Sequence, residues 1–492
     1  MKTVIHWFRR DLRVSDNVAL SEAAKRAETV IPLFIFEDAF RTGPDVGAAR
    51  LQFLLQSVES LRKNLAELGH TLIIRCGKSE EILPKFAKEV GAQAVFANKR
   101  YEPYTQRRDE RINKSLLDVG VGFDLFKDAV VWEETEILNL SGKPYTVFTP
   151  YSKAWKARAI PAPRPKFKTF NIQHSTLNIQ SDALPQSADE CGYPLTQRIP
   201  PSGERAAMEL LHKFMAGPVY EYGTARNFPA LDGGSNLSPH LRAGTIGIRT
   251  ILAELKKARE RISVVGDEVT SLKSKESQSL LTSSPTSRLN SCDVFLNELI
   301  WREFYAQVLH NFPHVTKGAF RPEYDQLAWS DNQEHFQAWC EGRTGYPIVD
   351  AAMRCLNATG TMHNRLRMIV AMFLTKDLLI NWQLGERYFM RQLVDGDMAA
   401  NNGGWQWSAG TGTDAAPYFR IFNPVSQAEK FDAEGKFVRQ WIPELKDFSD
   451  DLIHQPWENP LMLSKSKYAQ RIVLHEEQRE KCLAMFKAVK GS

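Results

Sequence analysis

Over the first 130 residues, short and almost wholly apolar runs alternate with longer stretches that are apolar on one side only. The runs are TVIHWF (3–8), VIPLFIF (30–36), TLIIR (71–75) and AVFANK (94–99), and β-branched residues recur in them. Runs of this length and make-up predict strands buried on both faces. Stretches such as 48–68 and 79–90 read as the helices between them. Strands and helices in alternation predict a doubly wound parallel α/β domain over 1–130.

The pattern then changes. Residues 131–205 read as a long linker, with Pro, Ser and Gln concentrated in 160–205, as in PAPRPKFK. From 206 to 475 helical periodicity dominates, at 204–216, 241–262, 293–311, 346–376 and 386–394, and predicts an all-α domain. Residues 476–492 are set apart as a C-terminal tail. The stretch 262–291 carries nine serines and separates two helical patterns, which predicts a mobile surface loop.

A chain of 492 residues is long enough for two or more cores. Charged residues at 25% and hydrophobic ones at 43% are ordinary for a globular protein, and a net charge of +5 permits a polyanion partner without requiring one. The six cysteines lie far apart with no CxxC, which reads as reduced thiols and no zinc or cluster site. The N-terminus lacks the apolar length of a signal peptide or membrane span, so the expected location is cytoplasmic. No GxGxxG follows a strand and no GxxxxGK[ST] occurs, which argues against a dinucleotide bound in the usual Rossmann manner.

Candidate chemistry lies in the helical half. Six of the 11 tryptophans fall between 301 and 407: Trp301, Trp329, Trp339, Trp382, Trp405 and Trp407. Core packing accounts for a single tryptophan; a cluster can also relay electrons or wall a pocket that stacks a base. In NELIWREFY (297–305), Glu298, Trp301 and Arg302 share one side of a helix. They form either a salt bridge beside a core ring or a pocket wall. TMHNRLRM (361–368) also reads as helix, with Asn364 and Met368 on one face and Arg365 and Arg367 beside them. In DGD (395–397) two carboxylates, Asp395 and Asp397, can meet a heterocyclic N–H or a sugar hydroxyl, or pair with Arg367. GGSNLSPHL (233–241) puts Ser235 and Ser238 just before a helix, a place for a phosphate or for an ordinary N-cap. NNGGWQW (401–407) joins two amides, two glycines and two tryptophans, and the glycines let something flat approach the backbone.

These segments, with WFRRDLRVSDNVAL (7–20), TGYPIVDAAMRCLNATGTMHNRLRM (344–368), KDLLINWQLGERYFM (376–390) and DGDMAANNGGWQWSAGTGTDAAPYFRIFNP (395–424), make the chain resemble the photolyase/cryptochrome family. Within it, the resemblance is to the class I-like DNA photolyases that repair cyclobutane pyrimidine dimers, and it runs over nearly the whole chain. It implies light-driven repair, in which excited reduced FAD gives an electron to a flipped-out dimer, the ring splits and the electron returns. It also implies FAD held in a U-shape in the C-terminal helical domain. Tyr222, Ser235, Leu237 and Ser238 would hold the pyrophosphate and ribityl region, with Arg302 nearby. Arg367 would pair with Asp395 against the isoalloxazine ring, Asp397 would contact its polar edge, and Asn401 would face N5. Glu298 and Asn364 would hydrogen-bond the dimer, and Trp301, Trp407 and Met368 would wall it. Trp405, Trp382 and Trp329 would carry electrons from the surface to oxidised flavin. Arg226, Arg365, Arg420 and Lys153 match positions that contact DNA phosphates.

Three departures from the family pattern stand out. Phe295 and Thr361 replace tryptophans near the flavin. Thr105, in EPYTQRRD (102–109), stands where a pterin-binding subgroup has Glu, although Lys317 matches that site. A second, light-harvesting chromophore is therefore expected as methenyltetrahydrofolate or a deazaflavin, with a second flavin also open. The serine-rich stretch is an addition. Asn401 points to repair rather than signalling, where Asp or Cys is common. Asn364 and Met368 point away from the (6-4) enzymes, and Met368 and Trp407 away from the DASH group. The alternative is a cryptochrome photoreceptor without repair activity; only about 70 residues follow FNP (422–424), short of a long signalling tail. A monomer is expected.

Overall fold

A computed structural model describes residues 1–165, 179–271 and 284–490. They gather into two compact units. The first holds Met1–Leu195, Pro200–Gly223 and Ser235–Asn311; the second holds Thr196–Ile199, Thr224–Gly234 and Phe312–Ser492.

The first unit is built on a parallel five-stranded sheet: β1 (Thr3–Phe8), β2 (Thr29–Phe36), β3 (Ile73–Cys76), β4 (Ala94–Asn98) and β5 (Gly122–Phe126), in the order β3-β2-β1-β4-β5. β1 is central, with Val4 opposite both Val30 and Ala94. Its two faces bury separate apolar layers: Val4, Phe8, Phe34 and Phe96 on one side, Ile5, Trp7, Leu33 and Val95 on the other. That is why the inner strands read as unbroken apolar runs. β5 escaped the sequence reading because it is an edge strand, only half-buried, with Gly122 and Asp124 in it. The connector after it is pinned by charge. The Asp128 carboxylate accepts from Arg13 and Arg249 at 2.7 and 2.6 Å. Burial alone would raise its pKa, but the two guanidiniums outweigh burial and hold it at about 2.

Beyond the connector the same unit carries the helices α1 (Phe148–Lys156), α2 (Gly203–Ala216), α3 (Ser238–Ala243), α4 (Ile248–Ser271) and α5 (Pro285–Asn311). The loop expected over 262–291 is corrected at both ends: the backbone is helical through Ser271 and again from Pro285. Serine in a helix interior costs only about half a kcal/mol relative to Ala, so an established helix propagates through it. Pro285 opens α5, where its missing N–H costs nothing. Residues 272–283, and 166–178 of the expected linker, lie outside the described residues.

The second unit is helical, with α6 (Pro347–Thr359), α7 (Asn364–Met372), α8 (Trp382–Gln392), α9 (Met398–Ala409) and α10 (His475–Lys490) among its elements. One core contains Trp339, Tyr346, Leu366, Phe373, Trp382 and Trp405. The segment set apart as a tail is mostly α10, whose Cys482 and Phe486 are fully buried. Beneath it a π-helical turn, Phe373–Asp377, buries Lys376 and Asp377. Asp377 meets His475 at 2.6 Å. Lys376 donates to the Ala409 carbonyl at the C-terminal end of α9 (2.6 Å) and lies 3.9 Å from the Phe486 ring centre. Of the cysteines, Cys292, Cys340 and Cys482 are buried and Cys76 is exposed.

Candidate active site

In the first unit the chemistry sits on α5. Glu298, Trp301 and Arg302 are half-buried on neighbouring turns, as their spacing predicts. Trp301 stacks on Phe148 of α1, centroids 3.7 Å apart and planes 5° from parallel. The Arg302 guanidinium donates to the Ala129 carbonyl (2.7 Å). Phe295, one of the departures noted above, is 3% exposed and closes an aromatic cluster with Phe214 and Tyr222 at 4.8 and 5.3 Å. Lys153 is exposed on α1.

Ser235, Leu237 and Ser238 lead into α3. The N-cap residue is Leu237, not a serine, and no side chain caps the helix; the Ser235 hydroxyl instead accepts the Leu237 N–H at 3.4 Å.

Sequence reasoning missed Glu303, the next residue of α5. It is 3% exposed and accepts from the Val131 and Trp132 amides (2.6 and 3.0 Å) and from the Trp155 indole (2.7 Å). Burial pushes its carboxyl up to about 7, against those N–H donors, which favour the anion. The available signal was an acid lying between the apolar positions Ile300 and Phe304. Because the ordinary carboxyl titrates near 4.5, folding takes up a proton between about pH 4.5 and 7. Stability from this group is therefore fully present below that window and falls as pH rises through it. Relative to Glu303→Gln, the native chain should be more favoured at about pH 5 than at about pH 8. Urea melts at both pH values test this, and an equal offset at both contradicts it.

In the second unit α9 explains NNGGWQW, which is wholly helical. Asp397 supplies the N-cap: its carboxylate accepts from the Ala399 and Ala400 amides at 3.1 and 3.2 Å. The Asn401 amide donates to the Glu386 carbonyl (2.9 Å), and Asn402 to Val315 and Glu386 (2.9 and 3.0 Å). Asn401 is thus held through its nitrogen, and no described residue donates to its carbonyl oxygen. Glycine inside a helix costs about 1 kcal/mol relative to Ala. At Gly404, apart from its chain neighbours and its own helix backbone, no described atom lies within 4 Å of where a Cβ would sit. The chain's own packing does not require a glycine there, and the space beside it is open.

Gly385 is a glycine for the opposite reason. A Cβ there would come within 2.1 Å of the Trp405 ring and 2.6 Å of Leu374. Trp405 of α9 packs against α8 at Gly385, one turn from Trp382. The two rings are 2% and 3% exposed. Trp329 is half-buried; the Ser330 amide donates to Leu379 (2.7 Å) and Ser330 bridges Ile380, which places Trp329 beside the segment entering α8. Trp339, fully buried, meets Trp405 edge to face at 6.0 Å and donates to the Val370 carbonyl. Gly385→Ala should overpack this contact, cost about 1–3 kcal/mol and displace the Trp405 ring. Thermal melts and near-ultraviolet circular dichroism test it; unchanged values for both contradict it.

TMHNRLRM is helical only from Asn364, because His363 caps α7 by accepting the Arg365 amide at 3.2 Å. Burial, with Arg365, Arg226 and Arg367 nearby, lowers the His363 pKa to about 4, so the capping ring is neutral at physiological pH. Asn364 is exposed and Met368 half-buried, on one face. Arg365 donates to Asn227 (2.6 Å) and lies 4.4 Å over the Phe431 ring. The expected pairing of Arg367 with Asp395 is present at 2.8 Å, and Arg367 also donates to the Met362 carbonyl. Arg226 and Trp407 are half-buried and Arg420 is exposed.

Residues 4–168 match the family described as DNA photolyase, and residues 295–488 that described as FAD binding domain of DNA photolyase. The chain is 40% identical over 507 residues to the deoxyribodipyrimidine photo-lyase of Salmonella typhimurium, spanning 100% of this chain and 99% of that protein. A bacterial class III photolyase from Agrobacterium tumefaciens superposes with a TM-score of 0.86 at 35% identity, covering 100% of this chain and 98% of that one. An archaeal photolyase from Sulfolobus tokodaii, with two FAD molecules, gives 0.80 at 31% identity, covering 99% and 100%.

Proposed function

The chain belongs to the DNA photolyase family and is a deoxyribodipyrimidine photo-lyase, and from that premise we propose how its residues divide the work of light-dependent DNA repair. The observation that carries this reading is α9, which joins an anchored Asn401, open space at Gly404, a buried Trp405 and a half-buried Trp407 on three turns.

FAD, reduced and excited by blue light, supplies the electron that splits the cyclobutane ring. Tyr222, Ser235, Leu237 and Ser238 bind its pyrophosphate and ribityl region, and Arg302 assists them. The Arg367–Asp395 pair lies against the ring system, Asp397 accepts from its polar edge while capping α9, and the Asn401 carbonyl oxygen is an acceptor for the N–H at N5. Trp405, Trp382 and Trp329 pass electrons inward from the surface; Trp329 is half-buried, and Trp382 and Trp405 are buried. Trp301, Trp407 and Met368 form apolar walls for the flipped-out dimer, and Glu298 and Asn364 hydrogen-bond its carbonyls and N–H groups. Lifting the dimer from the stack costs less than lifting an intact base, which contributes to selectivity.

We place a light-harvesting chromophore, methenyltetrahydrofolate or a deazaflavin, on the N-terminal part; the Sulfolobus protein keeps a second flavin in view. Thr105 favours no carboxylate-paired pterin, since its hydroxyl is turned to the Glu102 carbonyl at 2.8 Å. No helix among the described residues is long and apolar enough to cross a membrane. A cytoplasmic monomer is the proposed working form.

Arg226, Arg365, Arg420 and Lys153 supply phosphate contacts, which give affinity without reading sequence. With about four such contacts, affinity for dimer-containing DNA in the dark should fall roughly a hundredfold between about 50 and about 200 mM salt. Each single Ala variant should flatten the salt slope by about one. At every salt concentration, dimer-containing DNA should bind well above undamaged DNA of the same sequence. Equal binding of the two contradicts the repair reading.

A further inference from the structure

We propose that Glu303 is a positioning residue for lesion recognition: it fixes α1 so that Phe148 stays stacked beneath Trp301 and sets the plane of that aromatic wall. The proposal rests on the reading of Trp301 as a wall for the dimer.

Three N–H donors converge on the Glu303 carboxylate. Two come from adjacent residues of the connector, Val131 and Trp132, and the third is the indole of Trp155. Trp155 and Phe148 are seven residues apart on α1, so they share one face of that helix. One end of this face is tied to Glu303 by a hydrogen bond, and the other lies flat against Trp301, two residues away on α5. Phe304 wedges between the layers, edge-on to both Phe148 (5.9 Å, 77°) and Trp301 (5.6 Å, 81°). Arg302 and Gln307 extend the same grip, donating to the carbonyls of Ala129 and Ile137.

The connector and α1 therefore reach α5 through one polar face, and Glu303 is its only carboxylate among the residues named. Glutamine would present an amide to a set of donors. At least one N–H would lose its acceptor, and an orphaned buried donor forces neighbours to shift. The end of α1 that moves carries the partner of Trp301.

The test compares Glu303→Gln, Trp155→Phe, Phe148→Leu and the double variant Glu303→Gln/Phe148→Leu as FAD-loaded proteins, at a temperature where all are folded. The readouts are the ratio of affinities for dimer-containing and undamaged DNA, FAD content and light-driven flavin reduction. Loss of the stacked pair should lower the affinity ratio about five- to tenfold in each single variant. The double variant should lose no more than Phe148→Leu alone, because both changes remove the same stacking. FAD content and flavin reduction should stay at native levels. Trp155→Phe keeps an aromatic ring, a smaller one, and removes the indole donor, so it serves if Glu303→Gln does not fold. A native affinity ratio in Glu303→Gln or Trp155→Phe, with only a lower melting temperature, overturns the proposal, as does simple additivity in the double variant. Trp301→Leu separates the two layers: a native ratio there overturns the wall reading itself, and the positioning role with it.

Discussion

Trp405→Phe is expected to abolish light-driven reduction of oxidised flavin while sparing repair by enzyme reduced chemically beforehand. Trp405 is 2% exposed and seated on Gly385 of α8, the helix that also carries Trp382. A phenyl ring fills most of that space, and Phe389 already meets Trp405 edge to face at 5.0 Å, so the core accepts an aromatic ring there. Phenylalanine is far harder to oxidise than tryptophan, so the relay from Trp329 and Trp382 loses its inner member. Splitting of the dimer needs only a reduced cofactor and does not call on the relay. Trp339 also touches Trp405, but from within the core, with no exposed surface of its own. Light-driven reduction that survives in the variant assigns the path to other residues.

Glu298→Ala is expected to lower the yield of repair far more than the affinity for damaged DNA. Charge reaches the dimer's carbonyls only after the electron arrives, so a hydrogen bond between Glu298 and those carbonyls strengthens at that moment. Removing such a donor costs on the order of a hundredfold in the chemical step, whereas one lost contact in binding costs about tenfold or less. Glu298→Gln presents an amide N–H to the same carbonyls and should retain much of the yield. Parallel losses in binding and yield for the Ala variant contradict this role.

Much of this was legible because the chemistry lies in contiguous motifs. NELIWREFY carries Glu298, Trp301 and Arg302 on one helix side, while the Arg367–Asp395 pair, at 2.8 Å, was implied by the family resemblance. The inner strands were readable because both faces are buried, which leaves no polar position to confuse the pattern. β5 was not, because an edge strand keeps polar residues. What escaped depends on contacts distant in sequence. No local pattern shows that Glu303 binds amides about 170 residues away. Nor does any show that Gly385 makes room for Trp405 while Gly404 faces open space. Asp397 reads as a ligand in DGD, yet its carboxylate also caps α9, and a turn followed by NNGG gives little helical signal because glycine and asparagine both disfavour helix interiors. The serine-rich stretch misled in the same way: composition predicted loop where helices continue at both ends.

Ring splitting itself can be observed directly. Purified protein, its flavin fully reduced by a chemical reductant, is mixed with an oligothymidine containing cyclobutane dimers and exposed to blue light, with a dark control. Splitting restores the absorbance of thymine in the ultraviolet. Recovery under light and none in the dark is the expected result. No recovery from the fully reduced, folded protein contradicts the assignment as an enzyme of cyclobutane-dimer repair.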